Sequence, residues 1–487
     1  MTAKQVGHPS WMDTADLEFT PEEMSRMGRV VLEWCVEHVA ALAESPSRGD
    51  VAGAPDICRS MRESAPEQGR PLEGLLQQLF EEWIPRSFTT PGPGYFAYVP
   101  GGGLFPTALA DLISNTTNRF SGIFHAAPCL SQVEGNVLDW IRDWMQFPAS
   151  ARGTLTPGGS MSTFAAVVAA REWLTGTDLR NGVLYRSREG HHSIDKAARL
   201  AGILGDRIRE IAVDDEFRMR PDDLEAAIAA DRERGLRPFL VVSSAGTVNT
   251  GAVDPLDVIA DVCARERLWH HIDGAYGGFF HMVPELRPLL AGLSRADSLS
   301  LDPHKGLFLP YGTGALLVRD GEKLAGSHAA TAGYLPDPID DDLYDASRYG
   351  PELSRPFRGL RVWLPVQLYG VAKIRAAVAE KRALALQIHE SLAQVPGLQI
   401  VAPPHLSLFA FRLTWDGATP EQESEATREL VERVTNRGKV MLSGCTIEGR
   451  FLARICVLSF RTREAQARTC AEHVAEETAA ILAECAT

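Results

Sequence analysis

Trp269-His270-His271-Ile272-Asp273-Gly274-Ala275-Tyr276-Gly277-Gly278 reads as an apolar strand that ends in an acid and then in small residues. Such a segment puts a carboxylate at the C-terminal edge of a sheet with little bulk above it, room enough for a flat ring whose nitrogen Asp273 could keep protonated. The plainer alternative is an aspartate that caps the following turn. A second strand follows, Ser298-Leu299-Ser300-Leu301, running into Asp302-Pro303-His304-Lys305-Gly306, with Lys305 placed 305 − 273 = 32 residues after Asp273. A lysine on a loop after a buried strand, beside a histidine and before a glycine, suits a Schiff base with an aldehyde cofactor, although a lone lysine is commonly solvated surface.

Working outward, short β-rich runs alternate with helical ones from about residue 91, the pattern of a parallel sheet covered by helices. Strands are expected at 183–185, 208–213, 239–243, 268–273, 298–301 and 315–318, and helices near 162–174, 194–202, 221–232 and 255–266. A long helix is expected over 360–379, then a tail with strands near 406–413 and 452–458. The fold class is therefore α/β.

Two further features fall between strand and helix in this middle segment. Thr156-Pro157-Gly158-Gly159-Ser160 precedes a helix, so backbone N–H groups and a hydroxyl would face an anion at the positive end of the helix dipole. An ordinary Gly-Gly turn is the alternative. Glu189-Gly190-His191-His192-Ser193 pairs two histidines without a third residue at zinc-ligand spacing, which argues against a metal. An imidazole stacked on an aromatic cofactor or a surface helix cap remain as readings.

The amino-terminal region differs. Thr20-Pro21-Glu22-Glu23 predicts a capping box with proline in the first turn of a helix through Val30, Val31, Trp34 and Val39. After a stretch over 45–70 rich in Pro, Gly, Ser and charge, a second helix is expected near 72–83, ending at Pro85. These helices lack the apolar residues for a core of their own. Three parts are thus expected: a helical arm over 1–90, a large domain over 91–375 and a small carboxy-terminal domain over 376–487.

The 487 residues carry 49 Lys plus Arg against 63 Asp plus Glu, a formal net charge of −14, without a basic block, which argues against nucleic acid. The first thirty residues resemble neither a signal nor a transit peptide, and no apolar run suggests a membrane span. Eight scattered cysteines without a C-x-x-C pair fit a reduced, cytoplasmic setting.

The ordered set of phosphate loop, histidine, strand-end aspartate and lysine, with Phe96-Ala97-Tyr98-Val99-Pro100 and Gly251-Ala252-Val253-Asp254-Pro255, resembles the group II pyridoxal-phosphate-dependent decarboxylases, in particular their aromatic-L-amino-acid branch. The resemblance covers roughly residues 90–375 well and the flanks more loosely. It implies the aspartate-aminotransferase-like fold type I, pyridoxal 5′-phosphate as cofactor, and a homodimer with shared active sites. Residue by residue, it implies that Lys305 bonds the cofactor, Asp273 holds its ring nitrogen and His191 stacks on it. Gly159, Ser160, Thr247 and His304 match cofactor-contacting positions, Ala275 the small residue beneath the ring, and Tyr98 and Phe120 the substrate pocket. Tyr334, in Ala332-Gly333-Tyr334-Leu335, matches a loop tyrosine that protonates the substrate carbon after carbon dioxide leaves; relatives that release an aldehyde tend to have phenylalanine there. Read without the family, Tyr334 is the apolar anchor of an exposed loop.

Two departures stand out: Val248 follows Gly246-Thr247 where many members have threonine, and Asp302 replaces the asparagine of animal enzymes. The implied reaction is decarboxylation of an L-amino acid, with an aromatic one suggested by Tyr98 and Phe120. Oxidative deamination to an aldehyde and transamination are the rivals on the same fold, the latter with Arg454 as candidate carboxylate clamp or, more plainly, a surface charge. A binder that has kept the fold without activity is a further alternative.

Overall fold

The computed structural model describes residues 17–175, 180–329, 340 and 342–485, which form two compact units, 1–89 and 90–487. Among the described residues no helix is long and apolar enough to cross a membrane.

In the first unit, helix Pro21–Ala41 starts at the expected capping box: Thr20 Oγ1 accepts from the Glu23 amide at 3.2 Å, and the Glu23 carboxylate accepts from the Thr20 amide at 3.1 Å. No residue of this helix is buried; Trp34 lies against Phe80 with ring centroids 5.3 Å apart. The second expected helix is interrupted, being α-helical only over Leu72–Gln77 and widening into a π-turn over Gln78–Trp83 before Pro85.

The second unit holds two sheets. The larger contains β1 (Arg152–Thr156), β2 (Gly182–Ser187), β3 (Ile208–Ile211), β4 (Arg237–Ser244), β5 (Trp269–Gly274), β6 (Ser298–Leu301) and β7 (Gly314–Val318), in the order β1-β7-β6-β5-β4-β2-β3. β2 to β6 are mutually parallel, and β7 runs against both β6 and β1. The central strands are buried along nearly their whole length, because helices cover both faces of a parallel sheet and leave no wet side for polar alternation.

β1 was not expected from the sequence. Arg-Gly-Thr-Leu-Thr has no apolar run, and its glycine is needed because a Cβ at Gly153 would sit 2.4 Å from the Leu316 carbonyl oxygen. The single helix expected over 360–379 is two, Gly359–Tyr369 and Val371–Leu392, broken at Gly370, whose φ of 74° and ψ of 151° suit only glycine.

The smaller sheet is antiparallel, formed by β8 (Leu398–Ala402), β9 (Leu408–Leu413), β10 (Ser443–Ile447) and β11 (Arg450–Cys456) in the order β10-β11-β9-β8. Its apolar residues, with those of helices Val371–Leu392, Pro420–Asn436 and Glu464–Cys485, make a hydrophobic cluster distinct from that of the large sheet.

Candidate active site

Because β7 reverses, β1 runs in the same direction as β6, and its carboxyl end reaches the edge where β2, β4, β5 and β6 also end. The loops leaving that edge enclose a cavity of about 500 Å³, within the size range of small-molecule sites. Gly159, Ser160, His191, Thr247, Asp273, Ala275, His304, Lys305 and Tyr98 all line it. Phe120 does not; it is 42% exposed elsewhere on the surface. Tyr334 lies outside the described residues.

The loop after β1 is shaped by Thr156, whose Oγ1 lies 2.8 Å from Ser162 Oγ and accepts from the Gly158 amide at 3.3 Å. The chain then enters helix Gly159–Thr175 with its first amides turned to the cavity's end. A Cβ at Gly159 would lie 3.1 Å from both Ala275 Cβ and Asp302 Oδ2, so glycine keeps this cradle open.

At the end of β5, Asp273 Oδ1 accepts from the Ala275 amide at 3.1 Å and from Ser300 Oγ at 3.2 Å, Ser300 being its register partner on β6. These bonds hold the carboxylate in a fixed orientation. His191 Nδ1 accepts from the Ser193 amide at 3.2 Å and lies 2.7 Å from Ser193 Oγ, which fixes its proton on Nε2. Burial pushes the His191 pKa down, and His192 and Lys305 add to this against the opposing pull of Asp273, so the ring is neutral near pH 7.

Lys305 Nζ forms an ion pair with Asp302 Oδ2 at 2.9 Å. Burial alone would lower the lysine's pKa, but Asp302 and Asp273 outweigh it and hold the ammonium above its ordinary range. His304 donates from Nδ1 to the Thr313 carbonyl at 2.8 Å, leaving Nε2 3.7 Å from Asp302 Oδ2. The other carboxylate oxygen, Asp302 Oδ1, is buried without a partner.

Sequence reasoning missed Ser300 and Tyr311, whose ring centroid is 5.5 Å from that of His304; the first needs the β5/β6 register and the second a loop return, neither of which leaves a local signal. Arg454 meets neither expectation. It is 3% exposed, and its guanidinium donates to the carbonyls of Val248 and, at 3.0 Å, Asn249. It is a buried brace for the loop after β4.

A family model described as the pyridoxal-dependent decarboxylase conserved domain matches residues 55–414. The chain belongs to this family. It is 32% identical over 452 residues to an aromatic-L-amino-acid decarboxylase of Bacillus atrophaeus, covering 92% of this chain and 94% of that protein. It is 29% identical to a 4-hydroxyphenylacetaldehyde synthase of Rhodiola rosea, over 91% of this chain and 92% of that one. The crystal structure of an Oryza sativa TDC with PLP and tryptamine superposes with a TM-score of 0.89 at 28% identity, covering 95% of this chain and 99% of the other.

The fold is thus fold type I, and the enzyme is a pyridoxal-phosphate-dependent amino acid decarboxylase. The residues fit that cofactor: a Cβ at Gly159 would crowd the helix start that could take a phosphate, and the small Ala275 lines the same cavity as His191, Asp273 and Lys305.

Proposed function

We propose that this decarboxylase converts an aromatic L-amino acid to its amine and carbon dioxide, acting in the cytoplasm as a homodimer with shared sites. The observation that carries the reading is that Lys305, Asp273 and His191 line one cavity with the glycine cradle at its end.

When bound, pyridoxal phosphate supplies the electron sink for the pair released as the Cα–carboxylate bond breaks. Lys305 would provide the amine for its covalent attachment. Asp273, oriented by Ser300 and the Ala275 amide, would keep the proton on the pyridine nitrogen. His191, neutral and held by Ser193, would contact the cofactor without adding charge. Gly159, Ser160, Thr247 and His304 would hold the phosphate side and cofactor edge, Ala275 would leave room for the cofactor, and Tyr98 would border the substrate. Tyr334 would return a proton to the substrate carbon.

An aromatic substrate is supported by Tyr98 at the cavity and by the aromatic-L-amino-acid decarboxylase relative. The shared dimeric site is supported by Leu112, Ile113 and Phe120, apolar side chains left exposed in the single chain. The eight free thiols support a reducing compartment. Transamination gains no support from Arg454, whose donors go to the carbonyls of Val248 and Asn249 and to the Ser443 hydroxyl.

The test is a panel of L-amino acids with purified holoenzyme, scored for carbon dioxide, amine, aldehyde and peroxide. Stoichiometric amine and carbon dioxide from an aromatic substrate are expected; aldehyde with peroxide would replace this reading with the oxidative one. Borohydride reduction should fix the cofactor on Lys305, and label on any other peptide would overturn its assignment.

A further inference from the structure

The phosphate end of the cavity is short of positive charge. Among the described residues the charged and histidine side chains lining the cavity are Asp273, Asp302, His191, His304 and Lys305, with Tyr98 and Tyr276 as its phenols, and Lys305 is already paired with Asp302 at 2.9 Å. A dianionic phosphate seated on the Gly159 and Ser160 amides would therefore meet a second anion, since Asp302 Oδ2 lies only 3.1 Å from where a Gly159 Cβ would be. Asp302 is 2% exposed, so water does not screen it.

The geometry of His304 offers the remedy. Its Nδ1 proton is committed to the Thr313 carbonyl at 2.8 Å, so in the neutral ring Nε2 is a bare lone pair. That lone pair stands 3.7 Å from the Asp302 carboxylate, acceptor against acceptor. Asp302 Oδ1, buried without any hydrogen-bond partner, marks the same deficit of protons. One proton on Nε2 would turn this repulsion into an ion pair and give the phosphate a cationic neighbour.

We propose that Asp302 and His304 form a proton-taking phosphate clamp: cofactor binding draws one proton from solvent onto His304 Nε2, which then lies between the Asp302 carboxylate and the phosphate. This rests on the pyridoxal phosphate reading of the site. Burial holds the His304 pKa down while Asp302 and the Thr313 carbonyl push it up and Lys305 pushes it down, so an arriving anion tips the balance toward the charged form. The other groups facing the pair are the Tyr311 ring against His304, Asp273 and Cys456 near Lys305, and His191, which feels the Asp302 charge.

Proton uptake on binding makes affinity fall as pH rises. The test uses 4′-deoxypyridoxine 5′-phosphate, which has the ring and phosphate but no aldehyde, so that Lys305 chemistry does not enter. Titration calorimetry of the apoenzyme near pH 8, in buffers of different ionisation enthalpy, counts protons directly. Wild type should take up about one proton more than Asp302→Asn, and its affinity relative to that variant should fall by up to roughly tenfold per pH unit. His304→Gln should lose the same proton, which guards against a defect peculiar to the first variant. Equal proton counts in wild type and both variants, with binding intact, would overturn the clamp alone. Failure of wild type to bind either the probe or pyridoxal phosphate would overturn the cofactor reading beneath it.

Discussion

Arg355 and Glu134 form an ion pair in which both side chains are 2% exposed, 221 residues apart in the chain. Glu134 also accepts from the Gly359 amide at 3.1 Å, and Arg355 donates to the Leu155 carbonyl at 2.8 Å, one residue before Thr156. The pair thus braces β1 immediately ahead of the glycine cradle. Removing one partner leaves a buried charge alone, so Arg355→Met should cost about 3–5 kcal/mol of stability. Combining it with Glu134→Gln should recover much of that loss; chemical denaturation of the three variants checks both statements.

Gly159 is held to hydrogen by its neighbours, with 3.1 Å left between a would-be Cβ and both Ala275 and Asp302. Overpacking of this size costs about 1–3 kcal/mol, shared between the folded apoenzyme and the narrowed cradle. Gly159→Ala should weaken pyridoxal phosphate binding by up to roughly 150-fold and lower the unfolding midpoint of the apoenzyme. Fluorescence titration of the apoenzyme measures it.

Arg454 braces the carbonyls of Val248 and Asn249. Arg454→Ala should therefore weaken the amino acid and its amine product alike, since the loop after β4 loosens for both. Loss confined to the carboxylate-bearing ligand would restore the clamp reading. Inhibition by the amine and KM for the amino acid give the comparison.

Burial lowers the pKa of His270 to about 3 and of His271 to about 4, the latter against the pull of Asp273. Both rings are neutral in folded and unfolded chains above about pH 6.5. As pH falls below that, the unfolded chain binds two protons that the folded chain refuses, so this part of the stability is full at high pH and lost toward pH 4. The slope is about 1.4 kcal/mol per proton per pH unit. His270→Gln should be less stable at pH 7 but lose less between pH 6 and 4.5, which urea midpoints at the two values test.

How much of this was legible depends on whether a signal is local. β2 and β4 to β7 carry apolar runs bounded by turns, and the capping box at Thr20 needs only four residues, so both could be read directly. The candidate site residues share a legible grammar of strand, small residue and polar side chain, and of those among the described residues all but Phe120 line the cavity. β1 escaped because its five residues are held by β7 rather than by their own apolarity. The break at Gly370 escaped because an apolar helical pattern continues on either side, and a glycine in such a pattern reads equally as tolerated or terminal. The roles of Ser300 and Arg454 escaped because each is defined by a partner on another segment.

The reversed strand β7 also sets a schedule for synthesis. Arg152 of β1 pairs with Val318 of β7, which leaves the ribosome 318 − 152 = 166 residues later. Until then β1 has no ladder partner, and the cradle that follows it has no fixed position against Asp273 and Lys305. Such long-range pairing is slow to form and leaves a bare strand edge while it waits. A chain cut short before β7 should therefore be more than an incomplete enzyme: with β1 unpaired and the β6 edge bare, cofactor should not rescue it and aggregation should compete with folding.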